Sequence, residues 1–575
     1  MKGFLISSPG AIRGLDMADV SRRGFMLAAG ITGVALGFGS APASARPART
    51  TLEVAAQPAA GEGYRRLIAG PGWPQVVRTE LAPADPGRVD RRTPVTAFTQ
   101  FTDLHVTDAQ SPARFEYLHP LAGGAFRPQE TLGALSAAHL VQRVNQLRTG
   151  PVTGRPMDFM ITTGDSTDNH EFAELDWYFA VLNGGRIAQN TGAAHYEGVQ
   201  DSGDPLYWHP EGGVEDRFRE LGFPVLPGLL TDALRPFESP GLDIPWYAVF
   251  GNHDNSVMGT LADQAIPRVT EWYTGDRKII GRDEREARAV VEMMRGTRET
   301  SGQAVLGGNT IVRTVTPDER RHPFTTEQFI AAHLDAANTG PGPVGHGFDA
   351  DDPAPHYTFR IAPGVTGIAL DSTNTAGLAE GSLGLSQYRW LEDVLTRGSS
   401  GYYDEAGRKQ AQHVTDEMFV LFSHHTSDTM TALWPDFRSP GEARVSGAAV
   451  VRLLQRFPNV LAWVNGHTHG NTITPHAADE PERAFWEINT ASHVDFPQLA
   501  RVIEIADNHD GTVSLFTTLI EADSPYQADP DDRSPAALAA LYRELSFNDP
   551  HTDLSQLGEY TDRNTELLLP GRLPR

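Results

Sequence analysis

Phe159-Met160-Ile161-Thr162-Thr163-Gly164-Asp165-Ser166-Thr167-Asp168 is the stretch from which the rest of the chain can be read. An apolar, β-branched run stops abruptly at Gly-Asp, as a buried strand does when it delivers a carboxylate into the crevice at its C-terminal end. Gly164 permits a sharp turn and the close approach of something large. Gly-Asp is also common in ordinary capped turns, so Asp165 gains meaning only from what the other strand ends carry.

Upstream, Val95-Thr96-Ala97-Phe98-Thr99-Gln100-Phe101 reads as a strand that leaves through Thr102-Asp103-Leu104-His105. Residues two apart at a strand exit face the same side, so Asp103 and His105 can offer a carboxylate and an imidazole to one ion. Between the two strands, Leu132, Leu135, Leu140, Val141 and Val144 fall on one stripe and predict a helix over 131–147. Strand, helix, strand in that order predicts parallel pairing through a right-handed crossover.

Downstream, a helix is predicted over 171–182, after which 183–245 turns to Gly, Pro, Asp and aromatic residues without periodicity. Trp246-Tyr247-Ala248-Val249-Phe250 then leads into Gly251-Asn252-His253-Asp254-Asn255. Asn252 offers a neutral amide oxygen, His253 is placed for acid–base chemistry, and Asp254 can orient its ring. A second excursion, 256–356, holds a predicted helix over 284–295 and a basic cluster, Arg320-Arg321-His322, expected on a solvated face. Long excursions in compact folds are usually lids or specificity loops.

Three further strands are predicted at 366–370, 417–422 and 460–464. The first ends in Asp371-Ser372-Thr373-Asn374 and precedes a helix with Leu385, Tyr388, Leu391 and Leu395 inward. The second ends in Ser423-His424-His425, the third in Asn465-Gly466-His467-Thr468-His469-Gly470-Asn471. Two histidines spaced by one and framed by glycines at a strand end point to metal. Strands over 484–489, 500–505 and 512–520 continue the sheet, and Thr490-Ala491-Ser492-His493-Val494-Asp495 lies where it can approach the site. A helix over 535–545 closes the chain.

The chain has 575 residues, more than one typical core, so a large domain with insertions or two domains is expected. Its formal charge of -25, from 73 acidic and 48 basic residues, argues against nucleic acid and anionic membrane surfaces as partners. An anionic substrate must be drawn in locally, and bound cations can do that. There are no cysteines, which removes disulfides, thiolate metal sites and a cysteine nucleophile together. Any metal ligands are then His, Asp, Glu and Asn, a set suited to hydrolytic Zn, Mn or Fe.

Taken together, Asp103 and His105, Asp165, Asn252 with His253, His424, and His467 with His469 resemble the calcineurin-like metallophosphoesterase superfamily. Its five blocks read D-x-H, G-D-x-x-D, G-N-H-D/E, a strand-end H and G-H-x-H, and all five occur here in order between about residues 95 and 520. The resemblance implies an α/β fold, a four-layer α-β-β-α sandwich of two mixed sheets with flanking helices and the site at the strand C-termini. It implies two divalent metal ions (Mn, Fe, Zn or Co), one held by Asp103, His105, Asp165 and His469, the other by Asp165, Asn252, His424 and His467. His425 is an alternative to His424. His253 would stand over the substrate as general acid or phosphoryl-oxygen donor, with Asp254 orienting it. The implied activity is hydrolysis of a small-molecule phosphate ester by in-line attack of a two-metal-activated hydroxide. A phosphodiesterase of the cyclic-nucleotide or glycerophosphodiester type is the alternative, and a non-catalytic metal-binding scaffold the second. Purple acid phosphatases carry a Tyr three residues after the bridging Asp, where this chain has Asp168.

At the N-terminus, Ser21-Arg22-Arg23-Gly24-Phe25-Met26-Leu27 precedes an apolar, small-residue run and then Ala43-Ser44-Ala45. This resembles a twin-arginine export signal cleaved after Ala45, with an apolar run too short to span a membrane stably. The expected organisation is a signal over 1–45, a linker and edge segment over 46–93, and a catalytic domain over 94–525 with insertions at about 183–245 and 256–356. A helix and tail over 526–575 complete it. The twin-arginine machinery is an implied partner, the destination extracellular, periplasmic or cell-wall associated, and no membrane span is expected in the mature chain.

Overall fold

The computed structural model describes residues 50–296 and 306–571, so the expected export signal lies outside the described residues. Two mixed β-sheets dominate a mixed α/β architecture. Seven strands form the larger, in the order Val76–Arg78, Thr565–Pro570, Thr512–Ile520, Ala500–Asp507, Thr93–Phe101, Phe159–Thr163 and Trp246–Val249. The last three are parallel, with Phe101 opposite Thr162 and Thr163 opposite Val249, so their C-terminal ends open on one edge. The smaller sheet runs Tyr357–Ala362, Val365–Ala369, Met418–Phe422, Val460–Asn465, Phe485–Asn489 and Thr472–His476. Its four middle strands are again parallel.

Met418–Phe422 and Val460–Asn465 are buried at every position, which is why they read as continuous apolar runs. Alternate side chains go to different cores. Val420 and Phe422 join the core shared with the larger sheet, where Phe98 meets Phe422 edge-on with ring centres 5.8 Å apart and Phe159 meets Phe359 at 5.5 Å. Phe419 and Leu421 join a second core, closed by the helices Leu385–Arg397 and Gly447–Leu454 through Leu391, Leu395, Val450 and Leu453. The helices Gly133–Leu147 and Phe172–Asn183 supply Leu140, Val141, Tyr178 and Leu182 to the first core. Polar contacts tie the sheets just before their functional ends. Gln100 Nε2 donates to Asn465 O at 2.9 Å, and Thr490 Oγ1 donates to Gln100 Oε1 at 2.6 Å.

The excursions have structure that periodicity did not reveal. Residues 183–245 contribute Tyr207, Trp208, Phe218 and Phe223 to an apolar cluster with Leu538 and Leu541 of the helix Pro535–Asn548. The second excursion contains the strand pair Arg277–Arg282 and Thr310–Thr314 and the helices Glu284–Gly296 and Thr326–Leu334. One expectation there needs correcting. Arg320 is exposed beside Asp318, but Arg321 is fully buried and pairs with Asp108 at 3.1 Å, because its guanidinium is the buried carboxylate's counter-charge. Past residue 525 the chain also supplies an interior strand, Thr565–Pro570, between Thr512–Ile520 and Val76–Arg78. Among the described residues no helix is long and apolar enough to cross a membrane.

Buried histidines make this fold acid-sensitive. His333 and His346 are fully buried, share an Nδ1–Nδ1 contact of 2.9 Å, and His346 stacks on Trp246 at 3.5 Å. Burial pushes His346 down to about 4 and His119 to about 3. Both are depressed below the unfolded value of about 6.5, so the stabilisation is complete above that pH. It is lost as pH falls, because the unfolded chain takes up the protons first, at about 1.4 kcal/mol per pH unit for each group. Urea denaturation between pH 8 and 4 should give a midpoint that drops below pH 6.5; a flat profile would contradict this.

Candidate metal centre

Each predicted residue lies at or just past the C-terminal end of a parallel strand, and the backbone there turns back into the crevice between the sheets. Asp103, His105, Asp165, His467 and His469 all have left-handed φ, between 43° and 72°. Such conformations cost on the order of 1–3 kcal/mol each and cluster where function requires them. Gly164 has φ +89°, and a Cβ there would lie 2.7 Å from His424 Nδ1. The large neighbour that Gly164 admits is therefore the His424 imidazole.

The side chains converge in one buried cluster. Asp165 Oδ1 accepts from the His253 N–H at 2.8 Å, leaving Oδ2 between His105 Nε2 at 3.5 Å and His424 Nε2 at 3.1 Å. Asp103 Oδ2 accepts from the His467 N–H at 3.0 Å, while Oδ1 lies 3.3 Å from His469 Nε2. His467 Nδ1 is 3.1 Å from His424 Nε2. Asn252 Nδ2 donates to Gly259 O at 2.9 Å, which turns its amide oxygen the other way. Asp103 Oδ1, His105 Nε2 and Asn252 Oδ1 are all buried without a hydrogen-bond partner in the protein. Buried polar atoms are rarely left so, and oxygen and imidazole nitrogen donors converging without thiolates suit divalent cations. Asp103, His105 and His469 form one compact donor group, Asp103, Asp165 and His424 another.

Two expected roles change. Asp254 does not reach the His253 ring. Its carboxylate accepts from the N–H groups of Gly251, Ser166 and Thr167 and from Thr167 Oγ1, so it ties its own turn to the one after Asp165. The ring is oriented by Asp168, whose backbone oxygen accepts from His253 Nδ1 at 2.8 Å and whose Oδ1 lies 3.5 Å away. His425 is not free to replace His424, since its Nδ1 pairs with Ser372 Oγ at 2.9 Å and its Nε2 with Ala379 O at 3.0 Å. His424 instead spends Nδ1–H on Thr163 O at 2.8 Å and keeps Nε2 for the cluster.

Behind the cluster stands a charged layer missed from the sequence. Asp168 Oδ1 accepts from His105 Nδ1 at 2.9 Å, and Asp495 Oδ2 accepts from His469 Nδ1 at 2.7 Å. Arg114, fully buried, pairs with Asp168, with Glu130 at 2.8 Å and with Glu116 at 3.2 Å. Only the Asp168 of G-D-x-x-D and the approach of Thr490–Asp495 were visible as signals.

Opposed shifts mark the electrostatics. Burial would raise both cluster carboxyls, but His469 and His424 hold Asp103 down at about 2, and His424, His253 and His105 hold Asp165 lower still. Burial lowers His424 in its turn, yet Asp165 and Asp103 lift it to about 9. His105 goes the other way, to about 4, through burial and His253. Cations would supply the same compensation to the carboxylates while leaving the imidazoles neutral.

Three residues after Asp165 stands Asp168, so that position has a carboxylate and no phenolate to offer. The iron-loaded protein should therefore show no visible tyrosinate charge-transfer band, and a purple preparation would contradict the ligand set.

No family model matches the chain, and no curated protein does. Among solved structures it is similar to a dimetal phosphatase from Danio rerio, at 10% identity over 75% of this chain and 100% of that one, TM-score 0.33. PhoD follows at 12% identity over 84% and 82%, TM-score 0.27. The purple acid phosphatase PPD1 of yellow lupin (Lupinus luteus) seeds gives 8% identity over 82% and 55%, TM-score 0.25. Overlaps this loose carry no argument about chemistry, which rests on the side chains themselves.

Proposed function

We propose that the protein hydrolyses phosphate esters with the help of two divalent cations, Mn, Fe, Zn or Co, held where its two sheets meet. One oxygen carries the reading: Asp165 Oδ2 faces His105 Nε2 and His424 Nε2 at once, so a single carboxylate stands between two half-sites. Asp103, His105, Asp165 and His469 would form the first, and Asp165, Asn252, His424 and His467 the second. Bound there, the ions would polarise phosphoryl oxygens and lower the pKa of water for in-line displacement. The four-layer sandwich, the export signal and a small-molecule ester as substrate belong to the same reading.

The chain's own contribution is positioning and proton transfer. His253 commits Nδ1 to Asp168 O, which fixes the ring and leaves Nε2 as the end that can protonate a leaving alkoxide. Asp254 holds the turn that carries both Asn252 and His253. Of the residues assigned to the two cations only Asp103 and Asp165 are carboxylates, so the loaded centre would be net positive and give an acidic protein its local attraction for an anion.

A chromogenic phosphomonoester and a phosphodiester, offered side by side to protein supplied with Mn or Zn, test the reading. Turnover of either is expected, and the preferred one separates a phosphatase from a phosphodiesterase. Two bound ions with no turnover of either ester would favour a non-catalytic scaffold.

A further inference from the structure

Arg127 is 2% exposed and lies between the turns Gly123–Ala125 and Glu130–Leu132 that follow the Asp103–His105 exit. Its guanidinium grips Asp495 with two bonds, Nε to Oδ1 at 2.7 Å and Nη2 to Oδ2 at 3.1 Å. The remaining nitrogen, Nη1, donates to Gly124 O at 3.1 Å and stands 3.8 Å from Asp168 Oδ1. Those two carboxylates are the ones behind His469 and His105, at 2.7 Å and 2.9 Å. One buried cation therefore bonds one of the acceptors that set the histidines of this half-site and lies 3.8 Å from the other. A second tie joins the same segments, Gln129 Nε2 to Val494 O at 3.0 Å.

The other half-site is braced differently, because His424 gives its Nδ1–H to the backbone oxygen of Thr163. A carboxylate partner fixes the tautomer of a ligating imidazole and makes its other nitrogen more basic. Asp495 could hold His469 without help, but a lone aspartate at the end of a loop has several rotamers. The two-bond fork removes that freedom, and its planar geometry is one that Lys cannot reproduce.

We infer that Arg127 and Asp495 are positioning residues for His469 and, through Asp168, for His105, and that they set the affinity of the half-site built on Asp103 without serving the other. This rests on the two-cation reading above. Neither residue touches the cluster's open donor atoms, so their effect on metal is exerted through the imidazoles.

Competition between the metal-free protein and a chromogenic chelator for Mn(II) tests this, together with thermal melting of the metal-free protein. Wild type should give two dissociation constants. Asp495→Asn, which keeps the size and loses the charge, should raise one of them about 10–100-fold and leave the other in place. Arg127→Lys should raise the same constant, and in an Asn252→Ala background, where the other half-site is impaired, the surviving ion should be the one weakened. Unchanged constants in Asp495→Asn would overturn the inference, whether or not melting falls, and so would an equal rise in both. A drop in melting temperature accompanying the weakened ion counts in favour only if Arg127→Lys weakens the same ion. Wild type that binds no Mn(II) would overturn the two-cation reading instead.

Discussion

Asp165→Asn is expected to lower phosphoester turnover by about 10²–10³-fold, the range for losing one preorganised electrostatic group. The substitution changes little in shape. Oδ1 can still accept from the His253 N–H, now 2.8 Å away, so the turn behind it should survive. What disappears is the charge on Oδ2, the atom that faces His105 at 3.5 Å and His424 at 3.1 Å. In its place an amide N–H would point at nitrogens that need their lone pairs for metal. Steady-state kinetics at saturating metal checks this. Activity within about tenfold of wild type, well short of that expected loss, would mean that Asp165 does not stand between two ions.

Arg114→Met should cost about 3–5 kcal/mol of stability, the usual result of breaking a buried charge network from one side. Arg114 opposes Asp168, Glu130 and Glu116 in a region sealed from solvent, where the other close cations among the described residues are Lys278, 2.6 Å from Glu116, and Arg127, 3.8 Å from Asp168. Burial already lifts Glu130 to about 7 with Arg114 present, and removing the guanidinium strips Glu130 and Asp168 of their nearest cation. Since Asp168 also orients His105 and His253, activity should fall with stability. Urea denaturation at pH 7 measures the first effect; a midpoint equal to wild type would contradict the network's role.

The part of this arrangement that could be read from sequence is the part held by short-range pattern. A parallel strand buried on both faces is a continuous apolar run, and whatever follows its last residue is delivered to the crevice, so the strand ends stand out by position. It is the resemblance to the metallophosphoesterase blocks that implies Asp103, His105, Asp165, Asn252, His424, His467 and His469 as the ligand set. Partnership was not legible. Asp254 sits beside His253 in sequence, yet the turn after Gly251 folds its carboxylate back onto backbone N–H groups, and Asp168, 85 residues earlier, meets the ring. Asp495 finds His469 only because the loop after Phe485–Asn489 lies over the crevice, and Arg127 and Arg114 look like ordinary charges until the fold buries them. Arg321 was misplaced for the same reason: a basic cluster shows its charge in sequence but not the buried aspartate waiting for it. The excursions hid because irregular aromatic clusters, such as that of Tyr207, Trp208 and Phe218, have no period to detect.

Elemental analysis bears on the paired half-sites without any knowledge of the substrate. The protein would be stripped with chelator, reloaded with Mn or Zn, and freed of excess ion by gel filtration. Two ions per chain are expected for wild type, and one or none for Asp165→Asn. A wild type holding fewer than two, or an Asp165→Asn protein that still holds both, would contradict a centre in which one aspartate joins two cations.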